Sequence, residues 1–276
     1  MGIVLSEADP AGVTLLQYFE EAGFSDSGKM VSTRILERGA IRLLVLDQLL
    51  VPAEPNQSIA DPATYPADLD GLAASLGLDC FVLASRHWAK SANPSLTVHP
   101  SGNFGEATYG GRSRELQFTN PKLMRSVYTR LLSGAPPRYS VSLEATHHSP
   151  THFKTPMFFA ELGSSEKQWR DPVAAAFLAE TILKGVREPL DNSPVAVGFG
   201  GGHYCPKFSD LERDYAFGHI CPKYALDLLD ERLIREMVEK TGDGVDLGIL
   251  EKNLKERHAS LIRRTLKELD LDYLEA

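Results

Sequence analysis

Cysteine is scarce in this chain. Cys80, Cys205 and Cys221 are the only three among 276 residues, odd in number and without CxxC spacing. That excludes a disulfide framework and a thiolate zinc knuckle, so each is read as a small buried apolar residue. Long apolar runs are missing too. No stretch approaches the roughly 18 continuous apolar residues that span a bilayer. The opening Met1-Gly-Ile-Val-Leu-Ser lacks the basic and apolar regions of a secretory leader, and a cytoplasmic chain with no membrane partner is expected. Positive charge is in deficit: 29 Lys and Arg face 37 Asp and Glu, for a net charge of −8. A broad phosphate-binding footprint is thereby excluded. Two local basic groups remain, Lys122, Arg125 and Arg130 on one helical segment and Lys252, Lys255, Arg257, Arg263, Arg264 and Lys267 near the C-terminus; solvated helix surface is the simpler reading of both. Several catalytic signatures are also absent. There is no Gly-x-Ser-x-Gly elbow, no His-Glu-x-x-His pair and no phosphate loop ending in Gly-Lys-Ser/Thr, which makes covalent catalysis by a nucleophilic serine the minority reading.

What is present is an ordinary globular balance, 43% hydrophobic and 24% charged residues, enough for one extended core and one domain over 1–276. Strands and helices alternate. An apolar run at 3–5 precedes Asp9-Pro10, a cap followed by a proline that starts a helix. Runs at 30–36 and 41–46 flank a turn containing Gly39 and suit a hairpin. Four prolines within 52–70 predict a surface loop, and 89–114, rich in Gly, Ser, Pro and Asn, predicts a long functional loop. Further strands are expected at 79–84, 139–143, 157–162 and 195–199, helices at 120–132 and 166–186, and a helical extension over about 225–276. This order predicts a three-layer α/β/α sandwich around a mixed central sheet, with any site outside the carboxyl ends of the strands.

Histidine placement carries the chemistry. Of eight histidines, His87, His147, His148 and His203 each follow a predicted strand, His99, His152 and His219 lie in neighbouring loops, and His258 lies in the C-terminal helices. Imidazole is the commonest metal ligand and titrates near neutrality, so four of them at strand ends point to catalysis or metal binding rather than to four unrelated caps. Glu144 and Glu161 add carboxylates. Together they supply the mixed nitrogen and oxygen donors of a catalytic zinc site. A metal-free alternative, with histidine as base, stays open. The segment Gly198-Phe-Gly200-Gly201-Gly202-His203-Tyr204 follows a strand and reads either as an anion cradle of backbone N–H groups or as a tight turn. Aromatics beside glycines at Asn103-Phe104-Gly105 and Tyr109-Gly110-Gly111 have a composition that could stack a nucleobase.

At these motifs the chain resembles a known family. Ser85-Arg86-His87, Leu96-Thr97-Val98-His99-Pro100-Ser101-Gly102-Asn103-Phe104-Gly105, Tyr109-Gly110-Gly111, Glu144-Ala-Thr-His147-His148-Ser-Pro-Thr151, Glu161-Leu-Gly-Ser164-Ser165-Glu166-x-x-Trp169, Gly200-Gly201-Gly202-His203-Tyr204-x-Pro206-Lys207 and His219-Ile-x-Pro222-Lys223-Tyr224 are similar to the archaeal and plant type of D-aminoacyl-tRNA deacylase. The likeness runs from residue 1 to about 225, with 52–70 and the tail resembling the family only loosely. It implies a phosphorylase/hydrolase-like fold, dependence on zinc, and hydrolysis of D-aminoacyl-tRNA to free D-amino acid and tRNA as translational proofreading. The partners implied are the aminoacylated acceptor end of tRNA and a D-amino acid, with a monomer expected. Within the motifs, His87, His99, Glu144 and His148 are expected to hold one or two zinc ions, and His147, His203 and Glu161 to be catalytic. Arg86, Asn103, Gly200, Gly201, Gly202, Tyr204 and Lys207 are expected to bind substrate. A nucleoside phosphorylase or zinc peptidase on the same fold, and a non-catalytic tRNA- or metal-binding module, are the rival readings.

Overall fold

In the computed structural model, which describes residues 1–31, 33–52, 67–188 and 191–276, β1 (Gly2–Ser6) leads into α1 (Pro10–Glu21). Asp9 Oδ1 accepts from the Ala11 N–H at 2.9 Å while Pro10 has no N–H to leave unpaired, which is why the helix starts there. A three-strand meander follows, β2 (Ser25–Met30), β3 (Thr33–Arg38) and β4 (Ile41–Leu46). Then come α2 (Leu69–Leu76), β5 (Phe81–Trp88), β6 (Ser95–His99), a short ladder of β7 (Gly102–Asn103) with β8 (Glu115–Leu116), α3 (Pro121–Gly134), β9 (Ser140–Leu143) and β10 (Met157–Ser164). The remainder is α4 (Glu166–Trp169), α5 (Pro172–Gly185), β11 (Val195–Phe199), α6 (Pro206–Leu211), β12 (Ala216–Cys221), α7 (Glu231–Glu239), β13 (Leu247–Leu250), α8 (Glu256–Glu268) and β14 (Asp272–Glu275).

The main sheet has the order β2-β3-β4-β1-β5-β10-β6-β9. It is mixed: β4, β1, β5 and β10 run parallel, β3 and β6 oppose their neighbours, and β9 runs with β6. Helices cover both faces, because alternate residues of its central strands are apolar on both sides. Ile3, Val82, Ala84, Phe158 and Ala160 pack with α1, α3 and α5, whereas Val4, Phe81, Leu83, Met157 and Phe159 pack with α2. The sandwich with a mixed sheet is thus as expected.

Four expectations need correction. The tail is not a helical extension: β13 and β14 extend a second, all-parallel sheet, β12-β11-β13-β14. β13 is four residues between two amphipathic helices and β14 is exposed along its length, so neither carries the periodicity that marks a strand. The 89–114 loop contains β6, a five-residue strand with Ser, Thr and His among its apolar residues. The helix expected over 166–186 is two helices, since Pro172 cannot continue α4 and Asp171 caps α5 instead. β2, entirely polar but for Met30, was not expected as a strand and forms the exposed edge. The proline-rich loop falls outside the described residues over 53–66. Among the described residues, no helix is long and apolar enough to cross a membrane.

A second core joins the tail to the rest. Val197 and Phe199 of β11 pack with Leu233, Ile234 and Met237 of α7 and with Ala259, Ile262 and Leu266 of α8. Leu266 is fully buried and lies where any side chain on Gly248 of β13 would have to go. Leu266→Ala should therefore lower stability by about 2–5 kcal/mol, as for other large-to-small core truncations. Chemical denaturation checks this; a loss below about 1 kcal/mol would show α8 to be peripheral.

Candidate active site

One face of the main sheet changes from apolar to polar along its strands. On β5, Phe81 and Leu83 give way to Ser85 and His87; on β10, Met157 and Phe159 give way to Glu161 and Gly163. Residues two apart share a face, and the register sets Ser85, Glu161 and Thr97 side by side across three strands. Gly163 is required there: a Cβ on it would lie 2.6 Å from both Cβ and the carbonyl oxygen of His87.

Strand direction decides where the cluster sits. Because β6 and β9 run against β5 and β10, His99 at the end of β6 and Glu144 just beyond β9 enter from the opposite end to His87. The site therefore lies over the seam between β10 and β6. The expectation of a crevice beyond the carboxyl ends of all the strands fails, because half of the contributing strands point the other way. His147 and His148 follow on the loop after β9, which the second sheet holds in place: the Ala145 N–H donates to the His203 carbonyl at 2.8 Å and the Thr146 N–H to that of Ile220 at 3.0 Å.

All seven predicted metal-binding and catalytic side chains meet. Glu144 Oε2 lies 3.8, 3.7 and 3.6 Å from Nε2 of His99, His147 and His203. His87 Nδ1 lies 3.3 Å from Glu144 Oε1 and 3.4 Å from Glu161 Oε2, which is 3.6 Å from His99 Nε2. Ser85 Oγ donates to Glu161 Oε1 at 2.8 Å. Three rings are oriented by main-chain carbonyls: Nδ1 of His99, His147 and His148 donates to the oxygens of Pro100, Ala145 and Ser149 at 3.2, 2.8 and 2.7 Å. That fixes the tautomer and leaves each Nε2 lone pair free to face a cation. His148 adopts φ +47°, a conformation uncommon outside glycine that concentrates at functional positions.

Electrostatics follow from burial. Burial pushes Glu144 up to about 7 despite the nearby His87 and His99. Glu161 is buried as well, yet the approach of His87 and His99 outweighs this and holds its carboxyl well below the usual range. Burial alone would lower His87 and His99, but the two carboxylates raise both. Burial, together with the charge of neighbouring imidazoles, takes His148 down to about 3, His203 down to about 4 and His147 well below its usual value. Those three are neutral at neutral pH. Three overlapping trios, His99-His147-His148, Glu144-His147-His203 and His87-Glu144-Glu161, each bring donor atoms within 4.8 Å of one another.

His87, His147, His148, Glu161 and His203, with the fully buried Glu144 and His99 in contact with them, form the floor of a cavity of about 610 Å³ walled by Leu49, Leu50, Val51 and Pro52 and by Arg86, Trp88, Tyr109 and Trp169. Of the residues expected to bind substrate, Arg86 lines this cavity, whereas Tyr204 touches it only through His87, its hydroxyl 3.0 Å from His87 Nε2. Asn103 does not: its amide donates to the carbonyls of Gly110 and Arg112 and shapes their loop. The adjoining Phe104 is buried in the second core, unavailable for stacking. Nor do Gly200 and Gly201 offer an amide cradle, because their N–H groups donate to the Cys221 carbonyl and the Glu251 carboxylate; the tight-turn reading fits them. A Cβ on Gly202 would meet only open space, and Lys207 is exposed on α6. Sequence reasoning missed Ser85 as the partner of Glu161, although its position two residues before His87 on one strand was a signal. It also missed the wall at 49–52, which has none.

Residues 75–274 match the family D-aminoacyl-tRNA deacylase. The match takes in the tail that the sequence reading set apart from the family. The chain is 40% identical over 232 residues to the D-aminoacyl-tRNA deacylase of Methanosarcina mazei, covering 82% of this chain and 75% of that protein. With the D-aminoacyl-tRNA deacylase of Thermococcus kodakarensis it shares 39% over 201 residues, 71% of this chain and 73% of that one. Its backbone also superposes on the crystal structure of AF0625, a conserved protein of unknown function, with a TM-score of 0.87 and 25% identity over 99% of this chain and 94% of that one. By the extent of its match to the family and its identity with these relatives, the chain belongs to the D-aminoacyl-tRNA deacylase family.

Proposed function

We propose that this chain hydrolyses the ester between a D-amino acid and the 3′ end of tRNA, releasing both, and that it does so with a divalent cation, zinc by its donor set. The substrate follows from the names of its relatives. The observation that supports the chemistry is the pair of buried carboxylates, Glu144 and Glu161, ringed by imidazoles at the floor of a cavity.

The donors fit a cation. Both oxygens of Glu144 and Nε2 of His99 are buried without a hydrogen-bond partner in the structure, an arrangement that is unfavourable unless something else satisfies them. Donor separations of 3.3–3.8 Å around Glu144 are close to the edge, about 3.3–3.6 Å, of a tetrahedron with zinc–ligand distances of about 2.0–2.2 Å. His99, Glu144, His147, His148 and His203 would hold an ion, and His87 and Glu161 could join a second with Glu144. When bound, such an ion supplies Lewis acidity toward the ester carbonyl and toward water.

The chain's own groups do the rest. With a single ion bound, Glu161, ionised and held by Ser85 Oγ, accepts the proton of the attacking water and returns it to the departing ribose oxygen. Neutral His203, half-exposed at the cavity, offers its lone pair to the ion and does not compete for that proton. The wall at 49–52 excludes water from one side.

Charging one tRNA with D- or with L-tyrosine and measuring release of the amino acid tests the reading. Turnover is expected for the D-ester only, with Glu161→Gln, His147→Ala and His203→Ala each slower by about 10²–10⁴-fold. Chelation should abolish activity and zinc restore it; full activity in a verified metal-free preparation would remove the cation from the mechanism, and no D-selective release would remove the function.

A second expectation concerns pH. In the metal-free chain, folded Glu144, His87 and His99 keep protons that the unfolded chain, with ordinary values of 4.5 for Glu and 6.5 for His, gives up sooner. Through these three groups the folded state binds more protons, and above about pH 7.5, where the unfolded imidazoles are already neutral, stability falls as pH rises. His147, His148, His203 and His219, lowered in the fold, have released protons that the unfolded imidazoles still hold up to about pH 7.5, so they oppose the fall below that point and are silent above it. The metal-free melting temperature should drop as pH rises across the range above about 7.5. Zinc, which replaces those protons, should stabilise more at the upper end. Equal stabilisation by zinc at both ends would contradict the charge assignment.

A further inference from the structure

The arginines of the sequence's basic runs are engaged within the protein. Arg125 pairs with Asp191, Arg130 with Glu188 and Arg257 with Asp227, while Arg263 bonds both Glu256 and Glu275. An acidic chain with these arginines neutralised offers little to a line of phosphates. The mouth of the cavity offers something different. Trp88, one residue beyond His87, is 67% exposed and Tyr109 is 40% exposed, and both line the cavity. Exposed rings at one opening are a surface waiting for a flat partner. Beside them the Arg86 guanidinium lies 5.4 Å from the centroid of the Trp169 ring. Trp169 Nε1 donates to the His87 carbonyl at 2.8 Å, so the platform under Arg86 is tied to the catalytic strand. Among the described residues Arg86 makes no salt bridge within 4.0 Å, although the buried Asp9 on the same cavity wall feels its charge.

We propose that Trp88, Tyr109 and Arg86 form the binding site for the 3′-terminal nucleotide of tRNA, with the rings stacking on the nucleobase and Arg86 taking a phosphate. The assignment rests on the deacylase reading, which puts the ester at Glu161 and Glu144 and obliges the attached nucleotide to lie outward, at the mouth. A single-stranded end has its base faces open, and stacking on aromatic side chains is how proteins hold such ends when sequence is not read in a groove. Arginine suits both neighbours, a ring face and a phosphate. Recognition by two rings and one cation also reconciles a nucleic-acid substrate with a net charge of −8.

Steady-state kinetics on D-tyrosyl-tRNA should show KM rising about five- to a hundredfold in Trp88→Ala, with kcat within about twofold of wild type, as loss of one stacked base implies. Trp88→Phe should keep most of the wild-type KM, whereas Trp88→Leu, as apolar but without a π face, should resemble the alanine variant. Arg86→Met should raise KM likewise. Calorimetric binding of adenosine 5′-monophosphate, which needs no turnover, should weaken in Trp88→Ala and in Arg86→Met. A KM for Trp88→Ala within twofold of wild type, rescue by Leu as good as by Phe, or equal nucleotide binding by wild type and variants would overturn the assignment. Absence of D-selective release by the wild type would instead defeat the deacylase reading, and the binding measurement would still decide whether a nucleotide site exists.

Discussion

Glu144 and Glu161 bring two carboxylates within 3.3–3.4 Å of one imidazole nitrogen, His87 Nδ1, in the interior of the protein. Charge removed from water in this way persists only beside a positive counterpart, and that requirement organises everything around it. The counterpart is either protons on His87 and His99 or a cation held in their place, and the surrounding rings suit both states. His99, His147 and His148 each give one nitrogen to a carbonyl and keep the other for the centre. Neither arrangement tolerates an apolar replacement at one position, since removing a single partner leaves the others buried and unpaired.

The scaffold meets that requirement by opposing strands. Had all the contributing strands been parallel, the polar ends of β5 and β10 would have faced only loops. With β6 and β9 reversed, His99 and Glu144 arrive from the other end and close over Glu161. The second sheet then locks the loop after β9. His219, buried in β12, takes Thr146 Oγ1 on one ring nitrogen and gives the other to the Gln117 carbonyl, and the Ile220 N–H donates to Thr146 Oγ1. Burial holds His219 down to about 3, so this link stays neutral and serves as a pin rather than a charge. The second sheet thus acts on the site through Thr146, at a distance from the chemistry.

Much of this was legible and some could not be. His87 stood out because it follows an apolar strand and Glu161 because it lies at the end of one, where a polar residue calls for a partner. Ser85, two residues before His87 and so on the same face of β5, carried a signal that the apolar run alone did not bring out. Direction was not readable: nothing in the local sequence of β6 says that it opposes β10. Nor were β13 and β14, one too short and one too polar to show a period. The glycines at 200 and 201 looked like an anion cradle because Glu251, which takes the Gly201 N–H, is fifty positions along the chain. A local pattern states which backbone groups are exposed to bonding; only the fold states what bonds them.

Polarity changes by layers from the floor of the cavity outward, and the order has a physical reason. Low dielectric is what makes the buried carboxylates demanding, and it is also what strengthens their hold on protons or a cation. Such a floor must be kept dry. The wall at 49–52 and the rings at the mouth, apolar on their faces, keep water out without introducing charge that would compete for the cluster. A guanidinium among those rings is tolerable because it rests on Trp169 and stays partly solvated. Replacing the aromatic mouth with lysines would give more attraction for a phosphate chain, but it would bring mobile positive charge beside Glu161, whose ionisation is already balanced by His87 and His99. An acidic surface with an aromatic opening therefore follows from the same requirement as the cluster beneath it: the charges at the floor must be answered from within the site and from nowhere else.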